Sequence, residues 1–306
     1  MKIDLNFFPG FTRKAMSFTI DDGNVPLDIK FIDIVKPHGF LGTFNICHTT
    51  YKGFTHEDYR RIYEGFEIAN HCKNHPFAIP DGVTPKFSDE SFSDVENPDT
   101  DTLYKSEVEG MWRGVKGKFC TAAEYIRFIK EAQAELEEVF GEGSVGAFVW
   151  PYGEQQNTEV KEYLKSAGYY AVRKTGLLED KLGFNLPTDR MAWIYNTGYK
   201  NLLPVAERFE AYPDDGSLKV FFFGIHSHDF ENNNTWHELR EFAERYGDRP
   251  DDYYYATNKQ VFDYEDAIKS AYVKDGRLYN PSKLDLYAKI DGERIIIPAG
   301  KSVEVN

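Results

Sequence analysis

The chain has 306 residues, 41% of them hydrophobic and 28% charged, with 36 Lys and Arg against 50 Asp and Glu for a formal charge of −14. That length can bury a large core in one α/β barrel or in two domains, and an acidic balance spread along the whole chain argues against nucleic acid or anionic membrane as a partner. No apolar run approaches the ~18 residues of a membrane span, the N-terminal Met1-Lys2-Ile3-Asp4-Leu5-Asn6 lacks the apolar core of a signal peptide, and three cysteines (Cys47, Cys72 and Cys120) follow no pairing pattern, so the expectation is a cytoplasmic protein with reduced thiols.

In chain order, short apolar runs alternate with helical periodicity, as strand–helix units do. Residues 15–20 read as a buried strand that ends at Asp21-Asp22-Gly23. Pro26 opens an amphipathic helix to about Lys36, with Leu27, Phe31, Ile34 and Val35 on one face. Residues 39–46 are the next strand. Thr55 caps a helix over 56–64, with Glu57 and Asp58 in its first turn. A third strand at 65–69 runs into His71-Cys72-Lys73-Asn74-His75-Pro76. Residues 77–118 break the rhythm with Pro, Gly, Asp and Ser around Trp112 and several Phe, which predicts an irregular insertion folded as a flap near the site.

Thr121 caps a helix through Phe140, with Tyr125, Phe128, Ile129, Ala132 and Leu136 recurring at three and four. A strand at 145–149 ends in Trp150-Pro151-Tyr152-Gly153, followed by a helix at 157–167 and strands at 169–173 and 190–194. After a helix at 201–210, the densest apolar run, Val220-Phe221-Phe222-Phe223-Gly224-Ile225, reads as a buried strand ending at His226-Ser227-His228-Asp229. Helices at 235–246 and 258–272 precede short strands at 284–289, 293–297 and 302–305, with Asp291-Gly292 as a hairpin turn. Seven or so strand–helix units predict a parallel barrel or a doubly wound sheet carrying a small β appendage.

His71 and His75 are spaced i, i+4, and on a helical turn both rings face one side, near enough to share a metal through ~2.0–2.1 Å bonds. Neither that pair nor Asp21-Asp22-Gly23 is specific alone, since Asp-Gly is a common turn. Both follow strands of an apparent barrel, however, and barrel strand ends share the C-terminal face on which active sites lie. His226 and His228 end their strand on the same face; a His in that position, aligned with three metal-ligand candidates, is a candidate general acid. Cys72 points away from its neighbour His71, and His228 is a candidate substrate contact. The G-x-S-x-G nucleophile elbow and the G-x-x-x-x-G-K-[ST] phosphate loop are both missing from the sequence. Aromatic residues make up 16% of the chain, 20 of them Tyr; they suit core packing first and sugar stacking second.

These residues resemble the polysaccharide deacetylases of carbohydrate esterase family four. Ser17-Phe18-Thr19-Ile20-Asp21-Asp22-Gly23 is similar to the family's first motif, Glu67-Ile68-Ala69-Asn70 with His71 through Pro76 to its second, Val149-Trp150-Pro151-Tyr152-Gly153 to its third, and Phe222 through His226 to its fifth. His226-Ser227-His228-Asp229-Phe230 and Ala256-Thr257-Asn258 also resemble a bacterial branch of deacetylase-like proteins. The resemblance implies an α/β fold, a distorted (β/α)7-type barrel over 1–275 with 77–118 inserted, and a C-terminal β extension over 276–306.

It also implies roles. Asp22, His71 and His75 would hold a divalent metal, most often zinc, with cobalt, nickel or manganese as alternatives. Asp21 would be the general base, the Tyr152 amide an oxyanion donor, and His226 the acid that protonates the leaving amine. Trp150, Pro151, Trp193 and His228 would contact substrate or support the residues that do. The family's third-motif Arg is Val149 here, so Arg173 or Arg190 would have to orient Asp21. Asp189 is the candidate to tune His226. The implied reaction is metal-dependent hydrolysis of an amide bond, most naturally deacetylation of a small or oligomeric N-acetylated amino sugar. The alternatives are hydrolysis of a non-sugar amide or cyclic imide, and sugar binding without catalysis. A homo-oligomer fits the same reading.

Overall fold

The computed structural model describes residues 1–177 and 183–305. Seven strands make one barrel: β1 (Lys14–Asp22), β2 (Gly42–Ile46), β3 (Glu67–Asn70), β4 (Ala147–Val149), β5 (Ala171–Leu177), β6 (Trp193–Tyr195) and β7 (Lys219–His226). They lie in the order β6-β5-β4-β3-β2-β1-β7, every neighbour parallel. The two ends of that order meet. Thr197, just after β6, bridges Phe223 of β7. The Asn196 amide donates to the Phe222 carbonyl, and the Asn196 side-chain oxygen accepts the Phe222 amide, each at 2.7 Å. A side chain thus supplies half of the ladder where the barrel closes. A short strand, β8 (Tyr254–Tyr255), pairs with Ala15 and Met16 of β1, end to end with β2.

β1 explains why the sheet curls. Along it, Met16, Phe18 and Ile20 point outward into the principal core, where Phe18 packs on Phe31, Phe44 and Phe223. Ser17, Thr19 and Asp21 alternate with them and face the lumen. The lumen is polar: Asn45 donates through one nitrogen to both Thr19 and Asp21, each at 2.7 Å, and Thr43 donates to Glu67. Helices α1 (Val25–Val35), α2 (His56–Ile62), α3 (Ala122–Phe140), α4 (Thr158–Ser166), α5 (Leu202–Glu210), α6 (Ser227–Asn232) and α7 (Trp236–Tyr246) follow the strands. The first turn of α8 (Asn258–Ser270) plugs the far end. Its Lys259 amide donates to the buried Glu67 carboxylate, and Asn258 accepts from Ser17, so a helix N-terminus faces the buried acid. Burial raises the pKa of that acid against bonds from Tyr170 and Thr43.

Several expectations change. Residues 77–118 are not irregular: 77–78, 86–91, 102–105, 112–114 and 117–120 form a five-stranded sheet. Its strands are two to six residues long, with few buried positions, too short to show alternation in sequence. The strand expected at 39–46 starts at Gly42, because Gly39, at φ 80, ends a turn. The strand expected at 190–194 opens as a 3-10 turn, Arg190–Ala192, before β6. The Asp291-Gly292 hairpin forms with φ of 48° and 94°, the positive pair a two-residue turn needs. The boundary drawn at 275/276 falls inside a hairpin that joins 272–274 to 277–279, and residues 3–4 add to the 286–290 strand.

Gly42 faces Phe18 across the β1–β2 ladder. A Cβ there would sit 2.4 Å from the Phe18 ring and 2.6 Å from its carbonyl oxygen. Backbone on one side and a packed ring on the other leave no room to yield. Gly42→Ala should therefore lower the unfolding free energy by about 1–3 kcal/mol, measured by urea denaturation.

Candidate metal centre and active site

The C-terminal ends of β1, β2, β3, β4 and β7 open on one face, which brings Asp21 and Asp22, Cys47, His71 and His75, Trp150 to Tyr152, and His226 together. Asp22 Oδ1 lies 3.5 Å from His71 Nε2 and 3.4 Å from His75 Nε2. Two ligands bound at ~2.0–2.1 Å to one tetrahedral cation stand about 3.3 Å apart. The same oxygen is buried and accepts no hydrogen bond among the described residues, a costly arrangement unless a cation faces it.

The imidazoles are prepared for that role. His71 Nδ1 lies 2.9 Å from the Val149 carbonyl, so the proton sits on Nδ1 and the Nε2 lone pair faces Asp22. Burial and the neighbouring His71 push the His75 pKa down to about 4, which keeps that ring neutral and able to ligate. Asp22, despite burial, is held below the usual carboxylate range by its contact with His71 and the fields of His226 and His75. The two histidines do not sit on a helical turn as their spacing predicted. Cys72, Asn74 and His75 have φ of 56°, 67° and 51°, and this left-handed loop brings the rings to 4.9 Å. With Asp22 at 81° and Tyr152 at 59°, half of the ten non-glycine residues at positive φ among those described belong to the site, as expected where backbone strain serves a function.

Asp21 is buried beside Asp22 and faces the other way, into the lumen. It accepts from Asn45 and from Arg173 of β5. Arg173 is only 1% exposed, and the Tyr195 ring covers its guanidinium at 5.1 Å. Burial raises the Asp21 pKa, but Arg173, His71 and His226 outweigh it and hold the carboxyl below its usual range. Of the two candidate arginines, Arg173 is therefore the one that meets Asp21. Arg190 instead pairs with Glu265 and Asp266 of α8 and lies over Phe262.

On the opposite wall, His226 Nδ1 lies 3.0 Å from Asp229 Oδ2 and its Nε2 3.9 Å from Asp22 Oδ2. Burial lowers its pKa, but the Asp229 bond and the charges of Asp21 and Asp22 outweigh that and raise it to about 9. Asp229, quoted in the sequence but given no role, thus occupies the place expected for Asp189. Asp189 is exposed and caps the 3-10 turn, accepting from Met191. The signal for Asp229 was its i+3 position, since it also accepts the His226 amide as a helix cap. His228 stacks on His226 at 4.7 Å.

Trp150 and Trp193 are not site walls. Trp150 packs on Tyr125 and Phe148, Trp193 on Phe222 and Phe262, and both are buried in the core. Buried Pro151 uses its carbonyl to accept from Gln155. Tyr152 is the exposed member of that turn, 51% accessible, stacked on Phe77 and edge-on to His75. Its amide donates to no protein acceptor among the described residues. Cys47 was read only as a reduced thiol. It follows β2 directly, and its sulfur comes within 4.8 Å of ligand atoms of Asp22 and His71. Burial and the two aspartates raise its pKa, and the thiol donates to the His71 carbonyl. A cavity of about 220 Å³ beside Asp21 and His226 is lined by Tyr195, Tyr199, Lys200 and Asn201.

Among the described residues, no helix is long and apolar enough to cross a membrane. Comparison with curated proteins finds no match. Among solved structures, the chain is similar to a CE4 esterase of Streptococcus mutans (15% identity over 80% of this chain and 86% of that one, TM-score 0.47). It is also similar to the peptidoglycan deacetylase PdaC from Bacillus subtilis (15%, 84% and 94%, TM-score 0.47), and to a polysaccharide deacetylase from Bacillus cereus (15%, 80% and 92%, TM-score 0.45). The family model for polysaccharide deacetylase matches residues 10–172. That stretch carries Asp21, Asp22, His71, His75 and Tyr152, and stops just before Arg173. Because the match spans more than half of the sequence, the chain belongs to the polysaccharide deacetylase family.

Proposed function

We propose that this protein is a metal-dependent hydrolase of a C–N amide bond that removes the acetyl group from an N-acetylated amino sugar or short oligosaccharide. The observation that carries this reading is the buried Asp22 Oδ1, without a hydrogen-bond donor among the described residues and facing two Nε2 atoms at 3.4 and 3.5 Å. One carboxylate and two imidazoles suit zinc first, with cobalt, nickel or manganese also compatible. Bound there, the cation would supply Lewis acidity, polarising the acyl oxygen and acidifying a water.

The chain's own residues would do the rest. Asp21, ionised and held by Arg173 and Asn45, accepts the water proton. Asp21 needs only low basicity for this, since a cation held by Asp22, His71 and His75 would acidify the water. The Tyr152 amide donates to the oxygen that gains charge. His226, protonated at neutral pH, passes its Nε2 proton to the departing nitrogen, and Asp229 keeps the other ring nitrogen occupied. Tyrosines lining the adjoining cavity suit a sugar ring, apolar on one face and polar at the edge.

Asp21→Asn should lower acetate release from chitooligosaccharides by about 10²–10⁴-fold while the metal content stays at the wild-type level; an unchanged rate removes Asp21 from the mechanism. Ammonia or acid release from cyclic imides, without acetate release from sugars, would move the substrate to the non-sugar class.

Arg173 and Asp21 form a buried pair, and removing one partner leaves the other charge stranded. Arg173→Met should cost about 3–5 kcal/mol of stability at neutral pH. The double variant Arg173→Met/Asp21→Asn, which buries no charge, should recover more than half of that in denaturant unfolding.

The pH profile has a defined alkaline limb. His226 gives up its proton as pH rises through a pKa of about 9. A cation on Asp22 would cancel part of the field that raised it, so kcat should begin to fall below that pH. Asp229→Asn removes the bond that favours the charged ring, and the limb should move to still lower pH.

A further inference from the structure

Asp22 presents its two carboxylate oxygens to two different histidine pairs. Oδ1 faces His71 and His75. Oδ2 lies 3.8 Å from His228 Nδ1 and 3.9 Å from His226 Nε2. The His226 and His228 rings are stacked, centroids 4.7 Å apart and 23° from parallel, so both approach the same oxygen from β7 and the first turn of α6. His226, His228 and Asp229 also bring one ligand atom each within 4.8 Å of the others.

One ring of the second pair, His226, is held as His71 is in the first. The Val149 carbonyl occupies Nδ1 of His71 and leaves Nε2 for Asp22. The Asp229 carboxylate occupies Nδ1 of His226 and leaves Nε2 for the same residue. A carboxylate on the remote nitrogen of an imidazole is the common way of fixing a metal-binding histidine. The Asp229 carboxylate accepts the His226 backbone amide as well, at 3.1 Å, so ring and main chain are both held by it.

We propose that His226 Nε2, His228 Nδ1 and Asp22 Oδ2 form a second divalent-cation site, with Asp22 bridging two cations and Asp229 as the positioning residue. Two imidazoles and one carboxylate select zinc, nickel, cobalt or manganese over calcium and magnesium. The O···N distances of 3.8 and 3.9 Å exceed the about 3.3 Å expected around one tetrahedral ion, so the second cation binds more weakly than the first. A carboxylate shared through both oxygens suits cations roughly 3.5–4 Å apart.

Occupancy has a consequence for turnover. Nε2 of His226 carries either the proton that the leaving amine needs or a cation. The first cation therefore activates and the second inhibits. This inference rests on the proposed assignment of Asp22 as a ligand of the first cation.

The test is zinc binding to metal-free protein by calorimetry, with metal analysis after gel filtration. The wild type should take up two equivalents, the second weaker. His228→Ala should keep the tight equivalent and lose the weak one, and His71→Ala should lose the tight one. Asp229→Asn should weaken only the second, by about 10–100-fold. Manganese loaded to two equivalents should give an exchange-coupled electron spin resonance spectrum that His228→Ala abolishes. A single equivalent in the wild type, lost in His71→Ala, overturns the second site and leaves the proposed hydrolase standing. A weak equivalent that survives His228→Ala overturns the second site too. No bound equivalent at all overturns both.

Discussion

The buried ion pair between Asp21 and Arg173 is the constraint around which the rest of the site is arranged. An ionised carboxylate inside a barrel is tolerable only with a partner and with donors for its oxygens. Arg173 crosses the lumen from β5 and Asn45 reaches in from β2, both donating to Asp21 Oδ1. The polar lining of β1 to β3 then follows. Thr19 receives the same Asn45 nitrogen that Asp21 does, and Thr43 and Glu67 continue the chain of bonds to the helix that plugs the far end. A lumen filled with Val and Leu would offer Asp21 nothing. The apolar residues are displaced to the outer face, where Met16, Phe18 and Ile20 meet the helices.

That pair also separates two adjacent carboxylates into different surroundings. Successive residues of a strand point to opposite sides, but β1 ends at Asp22, whose φ of 81° turns it out of the strand. Asp21 stays in register opposite Asn45 and His226, and it is tied to Arg173. Asp22 is released toward His71 and His75. Gly23 continues the left-handed path at φ 72°, where an added Cβ would lie 3.0 Å from the Ile46 side chain. The Asp-Asp-Gly sequence is thus read by the fold as one carboxylate tied to Arg173, one facing His71 and His75, and one turn.

Much of this was legible in the chain, and the failures have physical causes. Strands followed by helices showed their periods because buried strands and amphipathic helices repeat every two and 3.6 residues. Asp22 and His71 were visible because each follows an apolar run, and His75 because it stands four residues after His71. The five short strands between 77 and 120 were not, since segments of two to six residues with few buried positions carry no alternation. The i, i+4 spacing of His71 and His75 suggested a helix, whereas the convergence comes from a left-handed loop that spacing cannot reveal. Trp150 and Trp193 were candidates for substrate contact and are buried in the core, because an aromatic residue's type does not say which side of a strand end it occupies. Asp229 was hidden by being local: a residue three positions on reads as a helix cap, and here the same carboxylate also holds the His226 ring.

Val149 shows why one missing residue need not mean a lost site. Val149 and Arg173 are register partners on adjacent strands, so a cation moved from β4 to β5 shifts sideways by about one strand spacing, 4.7–4.9 Å, well within the reach of an arginine side chain. What matters to Asp21 is a guanidinium at its oxygen, and the lumen is narrow enough to accept it from either strand. The vacated position keeps a function through its backbone, since the Val149 carbonyl receives the His71 Nδ1 proton. A motif describes which strand carries a group; the electrostatics depend only on where the group ends. In a barrel, where every strand faces the same lumen, those two can part, and a residue-by-residue comparison then finds a gap at a place where the charge is still present.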